Sequence, residues 1–155
     1  MPVPDPDNPK VLVADDEEGI RVLCRVNLEL AGYEVVEAAD GAQALDAARS
    51  VHPDVIFLDV MMPIMDGWEV LRTLKEDPAT AVIPVIMLTA RTSEADQIRA
   101  WGEGVMQYLA KPFSPEMLEE FAALAMTPHD ATAEQERRQR VIEQLRTLQE
   151  LRRRA

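Results

Sequence analysis

Short apolar runs alternate along this chain with longer stretches in which apolar positions recur every three or four residues. The runs fall near 10–15, 33–38, 54–59, 84–89 and 106–110. Val11-Leu12-Val13-Ala14 and Val55-Ile56-Phe57-Leu58 are apolar throughout, which predicts strands buried on both faces. Helical periodicity occupies 17–31, 41–51, 67–76, 93–103 and 115–126. Ala31-Gly32 supplies a glycine stop, Ser93-Glu-Ala-Asp96 approximates a capping box, and Ser114-Pro115 sets a hydroxyl before a helix-starting proline. Five strand–helix units in succession predict an α/β fold: a doubly wound, five-stranded parallel sheet of order 2-1-3-4-5 with helices on both faces. In that order the chain reverses direction between the first and third strands, and ligands bind at the strand ends there.

Both ends of the chain depart from this pattern. Residues 1–9 hold four prolines and read as a flexible leader, ahead of a domain spanning 10–127. Thr127-Pro128-His129-Asp130 breaks the periodicity, Thr132-Ala-Glu-Gln135 forms a capping box, and 128–155 reads as a polar helical tail. Val141, Ile142, Leu145, Leu148 and Leu151 give the tail a narrow apolar stripe. It either extends into solvent as an amphipathic helix or pairs with a second copy. Val141, Leu148 and Leu151 fit coiled-coil seam positions, but Gln144 interrupts them.

Charge sharpens the division. The net charge of −12 conceals a body, residues 1–133, with 9 Lys and Arg against 24 Asp and Glu, and a remainder with 7 Arg against 4 Glu. The body should repel nucleic acid, whereas the basic Arg152-Arg153-Arg154 end could contact nucleic acid or a kinase. A single cysteine, Cys24, lies in a helical pattern and reads as packing. The start of the chain does not read as a signal peptide, and no apolar run is long enough to span a bilayer, so the expected location is cytoplasmic.

The candidate chemistry sits at the predicted strand ends. Asp15 and Asp16 follow the first strand and Asp59 ends the third. Like charges about 4 Å apart cost roughly 4 kcal/mol at an effective dielectric of 20, so such a cluster recruits a cation or keeps a proton. All-oxygen ligation favours a hard ion such as Mg²⁺, with Mn²⁺ as an alternative. Thr89 ends the fourth strand and Lys111 follows the fifth. A metal, an ammonium and a hydroxyl around a carboxylate nucleophile suit phosphoryl transfer to that carboxylate.

Taken together, Asp15-Asp16, Asp59 with Met62-Pro63 and Asp66-Gly67, Thr89-Ala90, and Lys111-Pro112-Phe113 resemble the receiver domain of bacterial two-component response regulators, here of a stand-alone type with a helical tail. The resemblance implies a flavodoxin-like sheet. Asp59 would accept a phosphoryl group from a sensor histidine kinase or histidine phosphotransfer protein. Asp15, Asp16, Asp59 and the Met61 carbonyl would hold Mg²⁺. Thr89, Ala90 and Lys111 would contact the phosphoryl group, Thr89 and Tyr108 would switch, and the Lys111–Pro112 bond would be cis. The outcome would be altered protein–protein contact or onward transfer in a phosphorelay, rather than steady enzymatic turnover. The fourth helix, fifth strand and fifth helix would form the switched face. That face, or the tail through Val141, Leu145, Leu148 and Leu151, could join two copies. The cognate kinase and the output partner are not legible.

Competing readings stand beside these. Asp15-Asp16 could simply cap a helix with an acidic first turn, Glu17-Glu18. Tyr108 could be edge packing, and Met61, Met62 and Met65 loop packing. Trp68 reads as half-buried. His52 and His129 have no metal-ligand spacing. Gly104-Val105-Met106-Gln107 is less acidic than the usual family segment, which with Trp101 predicts an apolar output face. Met61 and Arg91 stand where the family tunes phosphate lifetime. An aspartyl-phosphate phosphatase of the haloacid-dehalogenase type would need an acid at position 61, where this chain has Met.

Overall fold

A computed structural model describes residues 8–90, 93–127 and 131–154. Arg91 and His129 lie outside them. Strands β1 (Lys10–Ala14), β2 (Glu34–Ala38), β3 (Val55–Asp59), β4 (Val85–Thr89) and β5 (Gln107–Ala110) alternate with helices α1 (Glu18–Leu30), α2 (Gly41–Val51), α3 (Gly67–Glu76), α4 (Glu94–Gly102) and α5 (Pro115–Met126). A sixth helix, α6, runs over Ala131–Arg154. The sheet is wholly parallel in the order β2-β1-β3-β4-β5, as the pattern predicts.

The apolar runs explain the layering. Neighbouring strand residues point to opposite faces, so each run feeds two cores. Leu12, Ala14, Ile56, Leu58, Val85 and Met87 pack under α2, α3 and α4. Val11, Val13, Val55, Phe57, Ile86 and Leu88 pack with Cys24 and Leu28 of α1 and Leu118 and Ala122 of α5. Helix starts follow local chemistry. Asp40, Asp66, Ser93 and Ser114 each accept a hydrogen bond from the backbone N–H three residues on. Gly32 follows α1 at φ 99°, and His52 ends α2 in the left-handed region.

The tail departs from the solvated-helix expectation. Helix α6 packs along α4 instead of extending into solvent. Ile142 is only 6% exposed and joins the core that contains Ala100 and Trp101, with Val141 and Leu145 half-buried beside it. Leu148 and Leu151 remain exposed. Burial of one such Ile side chain contributes about 2 kcal/mol toward docking. Trp101, expected at an apolar surface, is therefore covered, and Trp68 is buried as well rather than half-buried. Thr132 lies inside the helix, not at its cap, because α6 already begins at Ala131.

Candidate functional site

Register gathers the acids. Ala14 pairs with Leu58 across β1 and β3, Asp59 with Leu88 across β3 and β4, and Thr89 with Ala110 across β4 and β5. The carboxyl ends of four adjacent strands therefore form one rim, and each candidate residue ends or follows a strand there.

Lys111 binds that rim together. Its backbone N–H donates to the Thr89 carbonyl at 2.9 Å. Its Nζ lies 2.7 Å from Asp15 Oδ2, 3.5 Å from Asp59 Oδ2 and 3.7 Å from a Glu17 carboxylate oxygen. The Lys111–Pro112 peptide is cis. Asp15, Asp59 and Thr89 are buried, while Asp16 and Glu17 are exposed at the mouth. Carboxylate oxygens of Asp15, Asp16 and Glu17 lie within 4.8 Å of one another. Glu17 is a member that the sequence reading treated only as a helix-start acid. Its signal was the unbroken run Asp15-Asp16-Glu17-Glu18.

The capping alternative for the acid pair is only partly realised. Glu17 is the N-cap of α1 and makes no side-chain cap bond. Asp15 accepts the Glu17 N–H at 2.9 Å, yet its other oxygen belongs to Lys111. Asp15 is thus oriented by the helix start and directed toward the rim.

Two glycines shape the floor and wall. A Cβ on Gly67 would stand 2.2 Å from the Asp59 carbonyl oxygen, and one on Gly41 would stand 2.0 Å from the Met65 carbonyl oxygen. Gly67 N–H donates to the Val60 carbonyl at 2.8 Å. The start of α3 therefore presses directly on the end of β3, and the connecting loop is pressed by α2. Ile64, at φ 69°, absorbs the turn in between. Met61 is exposed, and its N–H lies 3.4 Å from Asp59 Oδ1. Met62 is buried and Met65 half-buried, as loop packing requires.

The electrostatics follow from the geometry. Burial, then the neighbouring Asp15 charge, push the Asp59 carboxyl up to about 6, against the pull of Lys111 and the Met61 N–H. For Lys111, burial works to lower the ammonium. The hydrogen bond to Asp15 and the charges of Asp59, Asp15 and Glu17 outweigh it and raise the group. A single ammonium thus leaves the Asp15–Asp59 repulsion incompletely offset. An all-carboxylate donor set with surplus negative charge fits a hard divalent cation, which Asp15, Asp16 and Glu17 could hold with Asp59 adjoining. Cys24 is buried, and burial followed by the Asp15 charge pushes its thiol up to about 12, consistent with packing.

Tyr108 and the tail residues stand apart from the rim. Tyr108 pairs with Met87 in the sheet and is half-buried against the same core as Val141 and Leu145. Ala90 is exposed just beyond Thr89. Val141, Leu145, Leu148 and Leu151 all lie on α6.

A five-stranded doubly wound sheet with a buried acid, an acidic pair and a lysine at one rim defines the class of aspartate-centred receiver modules. Residues 11–123 match the family model of the response regulator receiver domain, and the chain belongs to that family. The chain is 45% identical over 108 residues to the alkaline phosphatase synthesis transcriptional regulatory protein PhoP of Bacillus subtilis (strain 168), covering 70% of this chain and 44% of that protein. It is 44% identical over 117 residues to the DNA-binding dual master transcriptional regulator RpaA of Synechocystis sp. (strain ATCC 27184 / PCC 6803 / Kazusa), covering 75% and 48%. The chain therefore spans about half the length of the curated relatives it matches. Among solved structures it resembles the chemotaxis response regulator CheY4 of Vibrio cholerae, with a TM-score of 0.72 and 37% identity over 76% of this chain and 98% of that one.

Proposed function

We propose that Asp59 accepts a phosphoryl group from a phosphohistidine on a sensor kinase or phosphotransfer protein, and that the charged state alters which proteins the chain binds. The observation that carries this reading is the Lys111 ammonium, 2.7 Å from Asp15 and 3.5 Å from Asp59 at a rim with surplus negative charge. A carboxyl pushed up to about 6 is largely ionised at neutral pH and so available as a nucleophile. An Asp59 carboxylate oxygen forms a bond to phosphorus as the phosphorus–nitrogen bond of the donor breaks, and the electron pair stays with the imidazole nitrogen. Lys111 turns from Asp15 toward the incoming oxygens, and Thr89 donates its hydroxyl to one of them. A divalent cation, for which Mg²⁺ is the reading, neutralises charge on the transferring group. Asp15, Asp16, Asp59 and the Met61 carbonyl would hold it, with Glu17 at the mouth.

Met61 supports a switch rather than a turnover enzyme. It offers no acid or base to activate water against the phosphorylated side chain. Tyr108, half-buried beside the β4–β5 pairing, is suited to report the change at Thr89.

Acetyl phosphate with Mg²⁺ should add one phosphoryl group to the intact chain by mass spectrometry. Beryllofluoride should perturb the amides around Thr89 and Lys111 in the same metal-dependent way. Asp59→Asn should abolish both responses. A variant that still gains the group would remove Asp59 from the acceptor role. Steady release of phosphate from a phosphomonoester would restore the phosphatase reading.

A further inference from the structure

We propose that α6 is a latch in cis: it clamps α4 to the lead-in of β5, and it is loosened when Asp59 is phosphorylated. This rests on the receiver reading of Asp59 and goes beyond it by assigning the sixth helix a task.

Helix α6 grips two separate elements. Arg137 donates to the Met106 carbonyl, just before β5, at 2.9 Å. The same guanidinium stands 5.4 Å from the ring centre of Trp101 on α4. One side chain therefore spans both elements at the far end of α4. At the near end, Arg152 pairs with Glu94 in the first turn of α4. Between them, Ile142 enters the core that holds Ala100 and Trp101, flanked by Val141, Leu145 and Tyr108. The helix thus runs antiparallel to α4 and is anchored along it. Cationic residues of α6 meet an acidic body, so the attraction is also electrostatic.

Both gripped elements lead to the rim. Glu94 lies five residues after Thr89, and Met106 lies five residues before Lys111. A phosphoryl group that draws Thr89 and Lys111 toward Asp59 moves the start of α4 relative to β5. Arg152 must follow α4 while Arg137 must stay with Met106, and a rigid helix cannot satisfy both. Ligation at the rim and docking of α6 therefore oppose each other. Coupling of this kind is reciprocal: whatever factor the phosphoryl group takes from docking, loss of docking returns to phosphoryl binding.

The test uses the full chain, with hydrogen exchange read residue by residue and beryllofluoride with Mg²⁺ as the probe. Beryllofluoride should speed exchange of amides over 137–148 about ten-fold, a typical allosteric coupling. Asp59→Asn should show no such change. By reciprocity, Ile142→Glu should lower the half-saturating beryllofluoride concentration about ten-fold. Arg137→Gln, which retains the apolar anchor, should shift it in the same direction by less and serves if the first variant does not fold. Unchanged α6 exchange, with the amides beside Thr89 and Lys111 still responding, would overturn the latch and leave the receiver reading intact. So would an unchanged half-saturation in the variants, or α6 loosening that persists in Asp59→Asn. No response at either place would overturn the receiver reading and the latch together.

Discussion

Asp59 is held at the end of a buried strand beside a second buried acid, and its ionisation acts against folding. In the folded chain its carboxyl sits at about 6, raised from 3.8 by burial and the Asp15 charge. Between those values the native state holds a proton that the unfolded chain has released. Stability of the metal-free protein from this group therefore falls as pH rises from about 4 through 6, at up to about 1.4 kcal/mol per pH unit. Asp59→Asn should stabilise the metal-free chain on the order of 2 kcal/mol near neutral pH and close to nothing near pH 4. Urea titrations in chelator at the two pH values check it, and an equal effect at both would refute the assignment of cause. The acids themselves were readable from their places after apolar runs. The membership of Glu17 was not, because only the turn into α1 decides that its carboxylate faces Asp15 and Lys111 rather than solvent alone.

At the scale of elements, the contact between β3 and the start of α3 sets the position of the phosphoacceptor candidate. Gly67 is required there by space. An added methyl would meet the Asp59 carbonyl oxygen at 2.2 Å, a backbone atom that cannot rotate away. Gly67→Ala should lower the unfolding free energy by about 2–4 kcal/mol, as overpacking against backbone does, with a lower urea midpoint and an unchanged slope. It should also weaken beryllofluoride binding, since Asp59 must shift to accommodate the methyl. A normal midpoint would mean that α3 tilts freely. The strands and helices themselves were legible because apolar runs and three-to-four spacing encode them directly. The tail was the exception. Its stripe gave the helix but not its partner, since Val141, Ile142 and Leu145 would suit a second copy or the chain's own α4 equally well by pattern.

For the whole molecule, α6 lies outside the stretch matched by the receiver family model, yet its Ile142 is buried with receiver residues. Ile142→Ala should therefore cost about 2 kcal/mol or more, the range of large-to-small core changes. Thermal unfolding should remain one transition, since α6 shares the core of α2, α3 and α4. A change below about 0.5 kcal/mol, as for a surface site, would place α6 outside the cooperative unit. Among the described residues no helix is long and apolar enough to cross a membrane. The residues around Asp59 make the family legible, but the aligned stretch covers only 44% and 48% of the two transcriptional regulators it matches.

The sequence by itself determined the alternation of strands and helices, the parallel sheet and the acids, threonine and lysine at its rim. Those features are encoded locally, in residue spacing and in which side chains end each apolar run. Tertiary structure alone decided that Glu17 joins the acids, that Gly67 supports Asp59, and that α6 closes on α4. The first depends on the path of the turn into α1, and the other two on how close two separate elements approach, and residue spacing along one element expresses neither.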